Sequence, residues 1–183
     1  MKRAVFAGVL TAVALASVGC GATSPSPSRP QAPLATWNAS QHLVKWVVVA
    51  GDGGANGGMN FDGYANGAMT LVVPLGWRVE IAFRNASFTP HSAMVVPFAD
   101  HDRPSFDASL VAFPGASTAN PSQGSSKGDE ETVTFTASRA GTYALVCAVP
   151  GHALAGMWDK LEVSAQAKSP SLSTGGSSTG GSP

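Results

Sequence analysis

In several short stretches of this chain every second residue is apolar, and glycine, proline and asparagine separate those stretches. "RVEIAFR" (78–84) sets Val79, Ile81 and Phe83 against Arg78, Glu80, Ala82 and Arg84. "TVTFT" (132–136) alternates Val133 and Phe135 with threonines, and "TYALVC" (142–147) puts Tyr143, Leu145 and Cys147 on one side. An extended chain points successive side chains to opposite faces, so a period of two describes strands with one face toward a core. Residues 43–49, 69–73, 92–96 and 158–163 are further strand candidates, and no stretch carries a helical stripe. The expected fold is all-β, an antiparallel Greek-key β-sandwich. Segment 97–129 is long for a connection in a compact domain and is expected to hold a short element around 110–113.

The two ends read differently. "MKRAVFAGVLTAVALASVGC" has a basic start, an apolar run over 4–15 and then small residues, the pattern of a secretory signal. The run is shorter than the roughly 20 residues that span a bilayer, which favours cleavage over a retained anchor. Ala16 to Cys20, followed by a Ser/Pro tail, resembles a bacterial lipoprotein cleavage box in which the cysteine is lipidated, with Ser17 in place of the usual leucine. Residues 21–41 read as a Ser/Pro-rich linker, and 166–183 as a disordered Ser/Gly-rich tail. One domain, 42–165, lies between them. The expected location is extracytoplasmic, periplasmic or at the cell surface, with membrane attachment through Cys20.

Lysines and arginines balance the acidic residues, 11 against 11. Cleavage ahead of Cys20 removes Lys2 and Arg3 and leaves a slightly acidic protein. No basic stripe suits nucleic acid. "GDGGANGGMNFDG" (51–63) is glycine-rich but lacks the G-K-[ST] of a phosphate loop and the ligand spacing of an EF-hand, so it reads as turns between edge strands. Asn38-Ala39-Ser40 and Asn85-Ala86-Ser87 match the glycosylation pattern, and in a chain with a bacterial-looking export signal they read as chance.

Exported proteins normally pair their cysteines. Here only Cys147 lies inside the expected domain, so an unpaired thiol calls for a reason. It opens "CAVPGHALAGMW", where His152 and Met157 follow at five-residue intervals. A helix would turn such positions well apart, a strand would alternate them, and Pro150, Gly151 and Gly156 disfavour both. A curled loop can bring all three to one point. Thiolate, imidazole and thioether together suit neither zinc nor calcium or magnesium. Copper cycling between Cu(I) and Cu(II) suits one thiolate, two imidazoles and a weak axial methionine. The second imidazole is read as His91, which opens the apolar "SAMVV", with His101 in the polar "ADHDRP" as the fallback.

The C-x4-H-x4-M spacing and the upstream "PH" resemble the copper loop of the cupredoxins, the small blue copper proteins. "CAVPGHALAGMW", "NFDGYANGAMTLVVPLGW" and "TPHSAMVV" are similar to segments of the sulfocyanins. The chain departs from them in its export segment, where sulfocyanins usually carry a membrane-spanning anchor, and in 97–129. The resemblance implies a cupredoxin domain with one type 1 copper ion, His91, Cys147 and His152 as equatorial ligands and Met157 as the axial one. It implies a single-electron carrier serving respiratory partners such as a cytochrome or a terminal oxidase; the chain is expected to be a monomer and, with four protein donors filling the copper's coordination, not an enzyme. Copper storage or delivery, with Met59, Met69 and Met94 as extra soft ligands, is the alternative. A multicopper oxidase would flank the cysteine with histidines, whereas Val146 and Ala148 stand there. Trp158 is expected to pack under the loop.

Overall fold

The computed structural model describes residues 33–175. The signal segment, Cys20, residues 21–32 of the expected linker and 176–183 of the expected tail lie outside the described residues. Nine strands run in chain order: β1 Ala35–Asn38, β2 Leu43–Ala50, β3 Met69–Pro74, β4 Arg78–Asn85, β5 Met94–Pro97, β6 Glu130–Thr136, β7 Gly141–Val146, β8 Trp158–Ser164 and β9 Ser171–Thr174. They form two sheets, β1-β2-β4-β6 and β5-β7-β8-β3-β9. No helix among the described residues is long and apolar enough to cross a membrane.

The alternation is what stacks the sheets. Val44, Trp46 and Val48 of β2, Val79, Ile81 and Phe83 of β4, and Val133 and Phe135 of β6 turn inward and are buried. They meet Leu71 and Val73 of β3, Leu145 of β7, and Leu161 and Val163 of β8 in one core. Each such side chain contributes about 1.5–3 kcal/mol by leaving water. Phe113, from the long connection, stacks on Phe135 at 5.3 Å and tilts against Tyr143 at 4.6 Å between ring centroids.

Four expectations change. The sheets are mixed rather than wholly antiparallel, because β2 runs parallel to β4 and β3 parallel to β8. Alternation says which face of a strand is buried but not which strand lies beside it. Each connection from β2 to β7 crosses between the sheets, so strands that follow one another in sequence are rarely neighbours. Second, part of the expected linker forms β1, antiparallel to β2. Third, part of the expected tail forms β9, antiparallel to β3. Both are four-residue edge strands, Ala-Thr-Trp-Asn and Ser-Leu-Ser-Thr, held by backbone bonds and too short to show a period. Fourth, the strand expected at 92–96 runs over Met94–Pro97, and the element near 110 is a single 3₁₀ turn, Ala108–Leu110.

Segment 97–113 also covers the outer face of the second sheet. Val96, Ala144, Val146 and Ala148 are buried there beneath Phe106, with Phe98, Leu110 and Trp158 partly buried around them. β7 is therefore buried on both faces, which explains why its sequence is apolar almost throughout.

Candidate metal centre

Cys147 follows β7 directly and keeps that strand's phase, so its sulfur points inward with Tyr143 and Leu145 and is fully buried. The chain then turns through residues 148–157 before β8. His152 N–H bonds to Val149 O at 3.1 Å, Met157 N–H to His152 O at 3.0 Å, and Cys147 N–H to Met157 O at 3.1 Å. These bonds curl the loop so that residues 147, 152 and 157 share one end of the sandwich. Met157 is fully buried and packs in the same core as Cys147.

His91 arrives from the other side of the pole. It lies just before β5 in an antiparallel bridge to Ser125, Ser125 N–H to His91 O at 2.7 Å and His91 N–H to Ser125 O at 3.3 Å. Asn85 anchors that bridge. Its buried side chain donates to Ser125 O and to Thr89 O, both at 2.8 Å, and accepts from Ser87 N–H at 2.9 Å. Glu131 accepts from Ser125 Oγ and from Ala119 N–H. Gly124 is needed here: its φ is +75°, and a Cβ would stand 2.9 Å from both His91 N and Val149 Cγ2. Neither Asn85 nor Gly124 stood out as a site residue in the sequence. The signal for Asn85 was its phase, since it continues the inward series Val79, Ile81, Phe83.

His91, Cys147 and His152 bring their donor atoms within 4.8 Å of one another. Cys147 Sγ lies 3.7 Å from His91 Nδ1 and 3.3 Å from His152 Nδ1, and the two rings are 5.1 Å apart and tilted by 58°. Bonds of about 2.0 Å to nitrogen and about 2.3 Å to sulfur, 120° apart on one ion, would separate the two donors by roughly 3.7 Å. The triad fits such an ion. Ser92 N–H donates to Cys147 Sγ at 3.3 Å, while Ser92 Oγ accepts from Ala148 N–H at 2.9 Å and stands 3.8 Å from the sulfur.

Burial sets the charge state. It pushes the Cys147 thiol up and the His152 imidazole down. His91 falls to about 4, through burial first and His152 second. His91 is fully buried, and no described group bonds to its Nε2. His91 Nδ1 faces the Cys147 sulfur at 3.7 Å, so this nitrogen, and not Nε2, is the one turned toward the triad.

The other histidines lie elsewhere. His101 stacks on Phe98 at 4.6 Å and meets the edge of Trp158 at 4.2 Å, with Nδ1 2.7 Å from Phe98 O. It takes no part in the triad, so the fallback fails. Trp158 packs against Phe98 and His101, and His42 stacks on Trp77. Met69 and Met94 are buried in different cores, and Met59 is only partly buried. Asp100 pairs with Arg103.

The family model described as "Sulfocyanin (SoxE) domain" matches residues 31–174. A sulfocyanin from Sulfolobus acidocaldarius is 30% identical over 139 residues, covering 73% of this chain and 70% of that protein. The chain belongs to the sulfocyanin family. The family match spans all nine strands, including β1 and β9. Membership makes it a type 1 copper electron-transfer protein with one copper ion. Among solved structures, the auracyanin of Roseiflexus castenholzii is 24% identical with a TM-score of 0.49, covering 66% of this chain and 96% of that one. Rusticyanin is 25% identical with a TM-score of 0.44, covering 72% and 87%.

Proposed function

We propose that His91, Cys147 and His152 hold the copper as equatorial ligands and Met157 as the axial one, and that the protein carries single electrons between respiratory redox partners. The observation that carries this reading is the convergence of one buried thiol and two imidazole Nδ1 atoms at the end of the sandwich. Bound copper supplies one-electron exchange between Cu(I) and Cu(II). The chain's own part is to hold donors whose geometry serves both states, since both ends of the ligand loop are strand-bound and His91 is bridged to Ser125. Ser92 N–H aims a donor at the Cys147 sulfur, and the apolar surround keeps water from it. Both features favour the reduced state.

The protein is a carrier rather than an enzyme, because four protein donors leave no position for a substrate. A shallow groove of about 430 Å³ on the outer face of the first sheet shares no residue with the triad. His152, only partly buried and two residues from the exposed Leu154, offers its ring edge to an apolar contact with a cytochrome or terminal oxidase. Small contacts suit transient electron exchange. The export pattern supports an extracytoplasmic location and a lipid anchor on Cys20. Storage or delivery is disfavoured because Met69 and Met94 point into separate cores.

The test is the visible and EPR spectrum after addition of Cu(II). The wild type is expected to show an intense thiolate-to-copper band, and Cys147→Ser to lose it while keeping the β fold by circular dichroism. An unchanged spectrum would remove Cys147 from the site. His91→Ala should weaken Cu(II) binding and His101→Ala should not; the reverse result would overturn the choice of His91.

A further inference from the structure

The glycine-rich stretch after β2 has no role in the ligand set, yet it lies directly against the ligand loop. Asn56 Nδ2 donates to Ala155 O at 2.9 Å and to Met59 O at 2.8 Å. Asn66 N–H donates to Gly156 O at 2.8 Å, and Gly67 N–H to Trp158 O at 2.9 Å. Cys147 N–H takes the carbonyl between them, Met157 O. Four consecutive carbonyls, 155 to 158, are thus each bonded: those of 155, 156 and 158 by the glycine-rich stretch, and that of Met157, between them, by Cys147.

The backbone of the stretch is shaped for this. Asn56 has φ +48°, Asn66 +55° and Gly67 +71°, the left-handed region that asparagine and glycine enter most readily. Gly156 has φ +94° and passes so close to the Asn66 amide that a Cβ could not fit between them. Gly67 meets the Trp158 ring in the same way. The stretch is also braced internally. Asn60 Nδ2 donates to Ala55 O at 2.7 Å, Gly63 N–H to Asn60 Oδ1 at 3.0 Å, and Val49 N–H to Asp62 Oδ1 at 3.0 Å. A segment that only joined β2 to β3 would need none of the bonds to residues 155–158.

We propose that residues 51–67 are a splint for the ligand loop, with Asn56 and Asn66 as positioning residues that hold the Met157 turn in its metal-ready shape before copper arrives. Neither residue touches the donors; both act through the loop backbone. The proposal rests on the ligand reading above for its effect on copper. Its effect on the loop does not depend on that reading.

Two pairs of variants test it. Asn56→Asp keeps the shape but turns a donor into a carboxylate facing two carbonyls, and Asn56→Gly removes the bonds while accepting the positive φ. Asn66→Gly accepts φ +55° and keeps the backbone bond, whereas Asn66→Val opposes that conformation. In metal-free protein, amide exchange at Gly156 and Met157 is expected to speed up in both Asn56 variants and in Asn66→Val, and to stay near wild type in Asn66→Gly. In copper-loaded protein the same three should change the ratio of visible bands and the EPR copper hyperfine splitting. They should also release copper to a chelator about tenfold faster, the scale set by one or two net hydrogen bonds. Folded Asn56 variants with wild-type exchange, spectra and release would overturn the splint. Faster exchange without a thiolate-copper band even in wild type would keep the splint and overturn the ligand reading.

Discussion

In the proposed ligand set, Ser92 and Met157 are the two residues whose chemistry bears most directly on the potential of the centre. Ser92 touches the sulfur of Cys147 twice, by its backbone N–H at 3.3 Å and by its hydroxyl at 3.8 Å. Ser92→Ala keeps the first and loses the second, and it also strips Ala148 N–H of its acceptor. A thiolate with less hydrogen bonding donates more to Cu(II), so the reduction potential of Ser92→Ala should fall, as read by redox titration of the visible band. Met157→Leu should keep copper and raise the potential, because leucine fills the buried space but offers Cu(II) no donor. A fall on that change would contradict the axial assignment. The spacing of Cys147, His152 and Met157 was legible because all three lie in one loop. His91 could be chosen over His101 only by its place at the start of an apolar run. The bridge to Ser125 that fixes His91 joins residues far apart in sequence, and a linear pattern does not record such a pairing.

β9 shows what an element contributes when its residues are nearly all polar. β9 pairs four residues with β3, covers an otherwise open sheet edge and lays Leu172 against the core. Ending the chain after residue 165 should lower the melting temperature by about 4–8 °C, roughly 2 kcal/mol for a domain of this size. Thermal denaturation followed by circular dichroism measures it, and an unchanged midpoint would show that β9 contributes nothing. β2, β4 and β6 were readable because their inward residues are large and apolar. β1 and β9 were not, because backbone hydrogen bonding to an existing edge is blind to side-chain pattern. Asn85 illustrates a similar limit within β4. As a glycosylation match it read as chance, and its buried side chain, spent on Thr89 and Ser125, agrees with that reading.

Across the whole molecule, buried titratable groups should shape stability against pH. Burial pushes Asp62 up to about 7, with the Asp52 charge adding to the rise and the bond from Val49 opposing it. Asp159 rises to about 7 by burial, opposed by its bond from Met69 and aided by Asp62. Folded-state values above the ordinary 3.8 mean the folded chain holds extra protons between about 4 and 7. Their stabilisation is complete at acid pH and is lost as pH rises through that window. The loss is at most about 1.4 kcal/mol per pH unit for the fully buried Asp159 and less for the partly exposed Asp62. His91 acts the other way in metal-free protein. Lowered from 6.5 to about 4, it stabilises above that range and loses the contribution as pH falls. A difference measurement separates the two. Asp62→Asn/Asp159→Asn keeps acceptors for Val49 and Met69, so its stability relative to wild type should climb from pH 4 to pH 7 in denaturant titrations. A flat difference would show that the two carboxyls are not held protonated.

The sequence by itself determined the all-β class, the inward faces of the longer strands and the three proposed donors of one loop. Each of these depends on residues close together in the chain, and side-chain period and loop spacing record such relations directly. Only the tertiary structure decided that the sheets are mixed, that short segments at both ends of the domain become strands, that His91 rather than His101 reaches the sulfur, and that a glycine-rich connection is bonded to the 147–157 loop. Those outcomes come from backbone bonds and close approaches between distant segments, which form only when burial of the core brings the segments together.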